Sequence, residues 1–280
     1  IDMLDVFVYR WGDSPLNDQG FPIWVSDRVD SPGWTPMVNR GRADNPDRLK
    51  NIWIKSVIPE GKWDAPVLFF RFPQQDFELY MEDDVIYSYG SMDFSNKTKA
   101  PGSKYHFVSI PPGSAGKTLS VRMYSPFPEY AGRVGEFKVG PKGEIILYTL
   151  KDDIKNMVVA VISVFVGCCF VIFYFEKTIR QTGIFMIGLS SICIGIWVTA
   201  ESTIANMLTE NPLITMYSAF FAVYAAPIGF SIFISRFFRS RSGYITRNYW
   251  KIYPVFMFAA FILEYSGLVS VFRTVKLFNV

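Results

Sequence analysis

Two patterns of hydrophobic and polar positions run along this chain, and they meet near residue 150. Before that point the alternation has a period of two. Phe77, Leu79 and Met81 alternate with Glu78 and Tyr80, and Leu119, Val121 and Met123 alternate with Ser120, Arg122 and Tyr124. Alternation of this kind places one side of a strand on a core and the other elsewhere. Residues 52–58, 67–72, 105–110, 136–139 and 145–148 read as further strands. Glu82-Asp83-Asp84 turns 77–81 into 85–89 as a hairpin, while Pro111-Pro112-Gly113, Pro126, Pro128 and Gly140-Pro141 punctuate the rest. No segment with a helical period precedes residue 150. Many short strands with such turns predict a β-sandwich of jelly-roll type over 1–148.

Beyond residue 150 the alternation gives way to long apolar runs. Residues 157–175 are 19 positions without a charge, 182–200 are another 19, 213–235 are 23, and 252–272 are 21 interrupted only by Glu264. A hydrocarbon layer of about 30 Å needs about 20 such residues. Backbone groups in lipid must bond internally, so each run predicts a helix. The expected helices are about 157–175, 182–206, 213–235 and 252–272, within a transmembrane domain over 149–280. Asp152 and Asp153 stand where the first is expected to begin, and acids suit a helix N-terminus. Pro227 and Gly229 are placed to kink the third.

Charge sharpens the division and orients it. Residues 1–150 hold 17 Lys/Arg, 19 Asp/Glu and 14 of the 17 Pro; residues 151–280 hold 11 Lys/Arg and 6 Asp/Glu. The net charge of +3 therefore averages two regions and gives no reason to expect nucleic acid. Lys177 and Arg180 lie in the first connector, and Arg236, Arg239, Arg241, Arg247 and Lys251 in the third, with no basic residue in the second. Cationic loops stay cytoplasmic, so the first domain is expected outside, on a multi-pass protein of the plasma membrane. Arg273 and Lys276 then fall outside as well, which fits a native chain that continues into further spans. An exported first domain also implies a signal peptide or anchor ahead of Ile1. Membrane lipid is the partner this region requires, and the basic third connector reads as a topology anchor on anionic lipid.

Candidate chemistry is sparse. Cys168, Cys169 and Cys193 all lie in apolar runs and imply no disulfide framework. Residues 111–118, PPGSAGKT, imitate a phosphate loop, but Pro111 stands where Gly is needed and a strand follows. The single histidine, His106, sits within a strand without a local Glu, Cys or second His, so a structural role is expected rather than a triad or a zinc site. Asn96-Lys97-Thr98 matches a glycosylation sequon. Trp11, Trp24, Trp34, Trp53, Trp63, Tyr80, Tyr87 and Tyr89 offer faces for sugar rings, though core packing is the simpler use. In the membrane half the polar candidates are Glu201, in WVTAEST, and Glu264. Each must meet other helices, cavity water or a partner such as Trp197, or reach the outer surface. Nothing in the chain calls for a catalytic residue, a cofactor or a metal.

The runs LYMEDDVIYSYGSM at 79–92, KYHFVSIPPGSAGKTLSVRMYS at 104–125 and GEIILYTLKDDIKNMVVAV at 143–161 resemble the bacterial seven-transmembrane receptors with diverse intracellular signalling modules. DSPGW at 30–34 and IWIKSVIP at 52–59 are similar to the opening of glycosidase jelly rolls, and WVTAEST and YAAPIGF resemble the family's second and third spans. The resemblance implies a galactose-binding-like jelly roll that senses an extracytoplasmic small ligand, carbohydrate among the candidates. It implies helices that relay the signal to a cytoplasmic module in cis, a diguanylate cyclase or a histidine kinase, after three more spans. Ligand-binding residues vary in that family, so none is carried over; a homodimer is compatible with it. A pentameric ligand-gated ion channel has the same layout, and RFPQQDFEL at 71–79 resembles its strand-linking loop. Against it, Ser190, Ser191 and Thr199 are too scattered to form polar rows along a pore. An exported enzyme or adhesin is the third class, and needs two carboxylates paired across a cleft.

Overall fold

The computed structural model describes residues 1–4, 6–38, 41–92, 101–176, 182–237, 249–266 and 274. The chain divides into two compact units, Ile1–Thr149 and Leu150–Val280.

Among the described residues the first unit has ten strands, all paired antiparallel. They are β1 (Asp2–Met3), β2 (Val8–Trp11), β3 (Thr35–Pro36), β4 (Asn51–Val57), β5 (Pro66–Arg71), β6 (Asp76–Met81), β7 (Asp84–Tyr89), β8 (Tyr105–Ser109), β9 (Thr118–Tyr124) and β10 (Phe137–Pro141). One sheet has the order β1-β10-β5-β8 and the other β3-β2-β4-β9-β6-β7. Their facing sides share one core: Leu68, Phe70, Val108 and Phe137 from the small sheet meet Ile52, Ile54, Phe77, Leu79, Val121 and Met123 from the large one. This is a sandwich, and its alternation is the one the sequence displays. The β6–β7 hairpin closes through Glu82 at φ +54°, a left-handed conformation usually left to glycine, with Lys117 Nζ 3.0 Å from its carboxylate.

The segment 145–148 is not a strand. Helix α1 runs from Lys142 to Phe175, 34 residues, so helix precedes residue 150 and the first apolar run extends an existing helix. The cause is tertiary. Ile145 is buried against Val67 and Phe69 on the outer face of the small sheet, and Thr149 Oγ1 donates to its carbonyl, 2.8 Å away, one helical turn on. A four-residue apolar run carries no period that separates helix from strand. At 1.5 Å per residue α1 is about 50 Å long, well beyond a hydrocarbon core of about 30 Å. Its charged first half, through Lys155, is the part in excess.

The second unit continues with α2 (Thr182–Glu201), α3 (Thr203–Leu208), α4 (Pro212–Phe237) and α5 (Ile252–Tyr265). Helices α1, α2 and α4 are long and apolar enough to cross a membrane, and α5 is a shorter apolar helix. Of the fourth expected span, residues 267–272 lie outside the described residues. The expected helix 182–206 is broken at Ser202, whose hydroxyl accepts the Ala205 N–H at 3.1 Å and so starts α3. Helix α2 lies between α1 and α4, and glycines set the spacing. A Cβ on Gly188 would stand 2.9 Å from the Gly167 carbonyl oxygen of α1, and one on Gly229 of α4 would stand 2.5 Å from the Met186 carbonyl oxygen. Small residues permit such approach in lipid, where no hydrophobic force drives helices together.

Candidate functional site

The outer face of the large sheet is covered by the chain itself. Trp53 and Lys55 of β4 point away from the core, yet both are fully buried because residues 13–34 lie across them. Trp53, Tyr80, Trp34 and Val25 form a second apolar cluster with Phe21 and Trp24. Trp53 stacks on Tyr80 at 5.5 Å, and Trp24 meets Trp53 and Trp34 edge-on at 6.2 and 6.3 Å. These aromatic faces, candidates for stacking on a sugar ring, pack on one another here. Polar contacts fasten the covering segment: Lys55 Nζ donates to the carbonyls of Val25, at 2.9 Å, and Asp27. Arg10 lies 4.1 Å over the Trp24 ring, and Trp34 Nε1 donates to Asp27 at 3.2 Å. Burial draws the Lys55 ammonium down to about 8, against the upward pull of Asp27 and Asp83.

Toward one end of this face stands a charged network. Arg122 of β9 donates through Nε to Asp13 Oδ1 at 2.9 Å, through Nη2 to Asp13 Oδ2, and through Nη1 to Glu78 at 3.4 Å. Tyr80 donates to Glu78 at 2.6 Å, and Trp53 Nε1 to Asp13 at 3.2 Å. Burial alone would raise the Asp13 carboxyl, but its hydrogen bonds and the Arg122 charge outweigh burial and hold it below the usual carboxylate range. A carboxylate kept ionised in this way is a poor general acid.

Beside Asp13 opens a hollow of about 500 Å³ lined by Gly12, Arg48, Leu49, Lys50, Asn51 and Tyr124. Asn45 shapes its rim: its Oδ1 accepts the Leu49 N–H at 2.7 Å and its Nδ2 donates to the Leu49 and Pro128 carbonyls at 2.8 and 3.1 Å. Arg48 stands at φ +54° within that turn. Arg48 and Lys50 are exposed, and Asn51 Oδ1 is a buried acceptor with no hydrogen-bond partner. The hollow is shallow and largely open to solvent, and its exposed basic side chains suit a small polar or anionic molecule.

His106 sits in β8 on the inner face of the small sheet, only 3% exposed. Phe70, Phe77 and Tyr89 surround it at ring distances of 5.5, 5.0 and 4.6 Å, and its Nδ1 is 3.0 Å from the Tyr87 hydroxyl. Among the described residues no three His, Cys, Asp or Glu side chains gather as a metal site would need. Burial, with a smaller contribution from Lys104, pushes the imidazole down to about 4. The unfolded chain takes up this proton near pH 6.5 and the folded one only near 4. Stability from the neutral ring is thus full above 6.5 and is lost as pH falls toward 4, by up to about 3 kcal/mol. Thermal melts of the sandwich between pH 7 and 4 should show this loss, and His106→Phe should flatten the curve. An unchanged slope in that variant would remove His106 as the cause.

The other sequence candidates are placed as follows. The segment 111–118 is the turn between β8 and β9, with Gly113 and Gly116 at positive φ and Lys117 paired with Glu82. Asn96-Lys97-Thr98 lies outside the described residues, as do Lys177, Arg180, Arg239, Arg241, Arg247, Arg273 and Lys276. Glu201 closes α2 with its side chain exposed. Glu264 of α5 lies near the Tyr217 hydroxyl of α4. Ser190 Oγ donates to the Ala226 carbonyl at 2.7 Å and Ser191 Oγ to the Ser163 carbonyl at 3.0 Å, both between helices, while Thr199 bonds within α2. Sequence reasoning missed Asp13, Arg122 and Asn51, whose partners are remote in the chain.

No family model matches the chain, and no curated protein matches it. Among solved structures, the crystal structure of β-glucosidase from Kluyveromyces marxianus in complex with glucose is similar over 54% of this chain and 18% of that one, at 15% identity and a TM-score of 0.26. The selenomethionine-labelled form of the same enzyme gives the same coverage, 16% identity and a TM-score of 0.27. The chain thus spans less than a fifth of the length of these structures. Superpositions this loose add nothing to the strand pairing, and what stands is a β-sandwich unit followed by apolar helices of membrane length.

Proposed function

We propose that the chain is the sensory part of a bacterial transmembrane signalling receptor. In this reading the sandwich is a galactose-binding-like jelly roll on the outer side of the plasma membrane. It binds a small polar or anionic ligand, and the helices carry the signal to a cytoplasmic module. The observation that carries the reading is the course of α1. Its first turns belong to the sandwich, through the buried Ile145, and the same unbroken helix supplies the first membrane-length segment. A soluble binding domain and a membrane element that share one helix suit a relay, since binding energy can bias a state of the membrane part only through a shared element. The serines of α2 favour this over a channel, because Ser190 and Ser191 bond to neighbouring helix carbonyls rather than forming a free polar row.

The hollow beside Asp13 is the proposed ligand site. A thermal-shift screen of the whole chain in lipid nanodiscs, with neutral and acidic mono- and disaccharides and small carboxylates, tests it. A ligand at a hundred times its Kd should stabilise the sandwich by about 2.7 kcal/mol. The double variant Arg48→Glu/Lys50→Glu should lose the response. A panel without any stabilising compound, or a response that survives the double variant, would refute this assignment.

A further inference from the structure

Asp153 is the one carboxylate of the second unit that is nearly fully buried among the described residues, at 4% exposure. It stands eleven residues past Lys142, where α1 begins, too far along to serve that helix's own N-terminus as the sequence had suggested. Its Oδ2 accepts the backbone N–H of Ile204 at 3.0 Å. Ile204 is the second residue of α3, whose first amides have no partner within the helix. Ser202 takes the next amide, that of Ala205. One orphan donor of α3 is therefore satisfied locally and another by a different helix.

The surrounding side chains complete the arrangement. Asn206 Nδ2 donates to the carbonyls of Ala200 and Ser202 at 2.9 and 2.8 Å, receiving the end of α2, and Thr215 Oγ1 of α4 lies 3.1 Å from Asn206 Oδ1. Ser202, Asn206 and Thr215 are all buried. The break between α2 and α3 is thus joined to α1 by Asp153 and to α4 by Thr215. An N–H···O hydrogen bond spans about 2.7–3.2 Å and is absent by about 3.6 Å, while one residue of axial slip moves a helix by about 1.5 Å. Slip of α1 by one residue breaks the Asp153 contact.

We infer that Asp153 is a positioning residue, a latch that keeps the α2–α3 break folded only while α1 holds its observed register. This rests on the proposed relay for its purpose, but its test does not. Hydrogen–deuterium exchange is measured on the whole chain in nanodiscs for wild type, Asp153→Ala and Asp153→Asn. In Asp153→Ala, the amides of α3 should exchange about tenfold faster or more, as loss of the hydrogen bond that satisfies the Ile204 N–H requires. Exchange in the middle of α2 and in the sandwich strands should stay as in wild type. Asp153→Asn keeps an acceptor oxygen and should restore part of the protection. Wild-type exchange of α3 in Asp153→Ala would overturn the latch, as would loss of protection spread evenly over the chain in both variants. A failed ligand screen alongside an intact latch result would count against the receptor reading alone.

Discussion

Replacing Gly229 by valine is expected to unfold the helical unit under conditions where the sandwich remains folded. The Cβ alone would stand 2.5 Å from the Met186 carbonyl oxygen and 2.5 Å from Ser190 Oγ. Ser190 can rotate, but Met186 contributes backbone, so α4 must move away from α2. That separation also removes the Ser190 bond to the Ala226 carbonyl and opens the contact between α2 and α4. Overpacking a well-filled core costs about 1–3 kcal/mol, and a backbone clash between two helices belongs at or above the upper end. Gly183→Ala is the matched control: its Cβ would meet Phe233 at 3.6 Å and Arg236 at 3.9 Å, ordinary contacts, and alanine favours helix by about 1 kcal/mol. Unfolding in detergent mixtures, followed by tryptophan fluorescence of Trp197, should rank Gly183→Ala at or above wild type and Gly229→Val far below. Equal stability of the two variants would mean that α2 and α4 are not held at this distance.

The strands of the sandwich were readable because one face of each is committed to the core, and a period of two survives in the residue types. The start of α1 was not, since Ile145 owes its helical conformation to Val67 and Phe69, more than seventy residues away in sequence. The break at Ser202 had a local sign: Ser-Thr-Ile-Ala offers an N-cap hydroxyl within an apolar run. Asp153 was read as standing at the start of the first span, but α1 begins at Lys142 and the N–H that Asp153 accepts belongs to α3. Residues 13–34 carry no period, and their role in covering Trp53 and Lys55 emerges only from contacts across the fold. The candidate ligand site was the least readable of all, because Gly12, Arg48, Asn51 and Tyr124 come together only through the pairing of β4 with β2 and β9.

That pairing also sets up the second large effect. Arg122 and Asp13 are 109 residues apart, and their contact ties the covering segment to the sheet. Arg122→Leu keeps much of the stem's packing but leaves Asp13 and Glu78 near each other without the guanidinium that separates them. Removing one partner of a buried ion pair costs about 3–5 kcal/mol; Asp13 is about a third exposed, at 32%, so water reduces this to about 2–3 kcal/mol. The pH dependence should change sign. In wild type the folded Asp13 carboxyl lies below its ordinary value of 3.8. Its contribution is therefore present above that pH and lost as pH falls through the folded value. In Arg122→Leu burial, the largest influence on this carboxyl, is opposed only by the hydrogen bonds from Trp53 and Ser14. The carboxyl therefore rises, and the variant is penalised at neutral pH and recovers part of its stability as pH falls toward 4. Asp13→Asn combined with Arg122→Leu should remove both the charge and most of the deficit, an interaction that a double-mutant cycle measures directly. Denaturant melts of the four forms at pH 7 and pH 5 decide the matter. If the deficit of Arg122→Leu is the same at both pH values and Asp13→Asn does not relieve it, the network contributes packing alone and its charges do not fasten the covering segment.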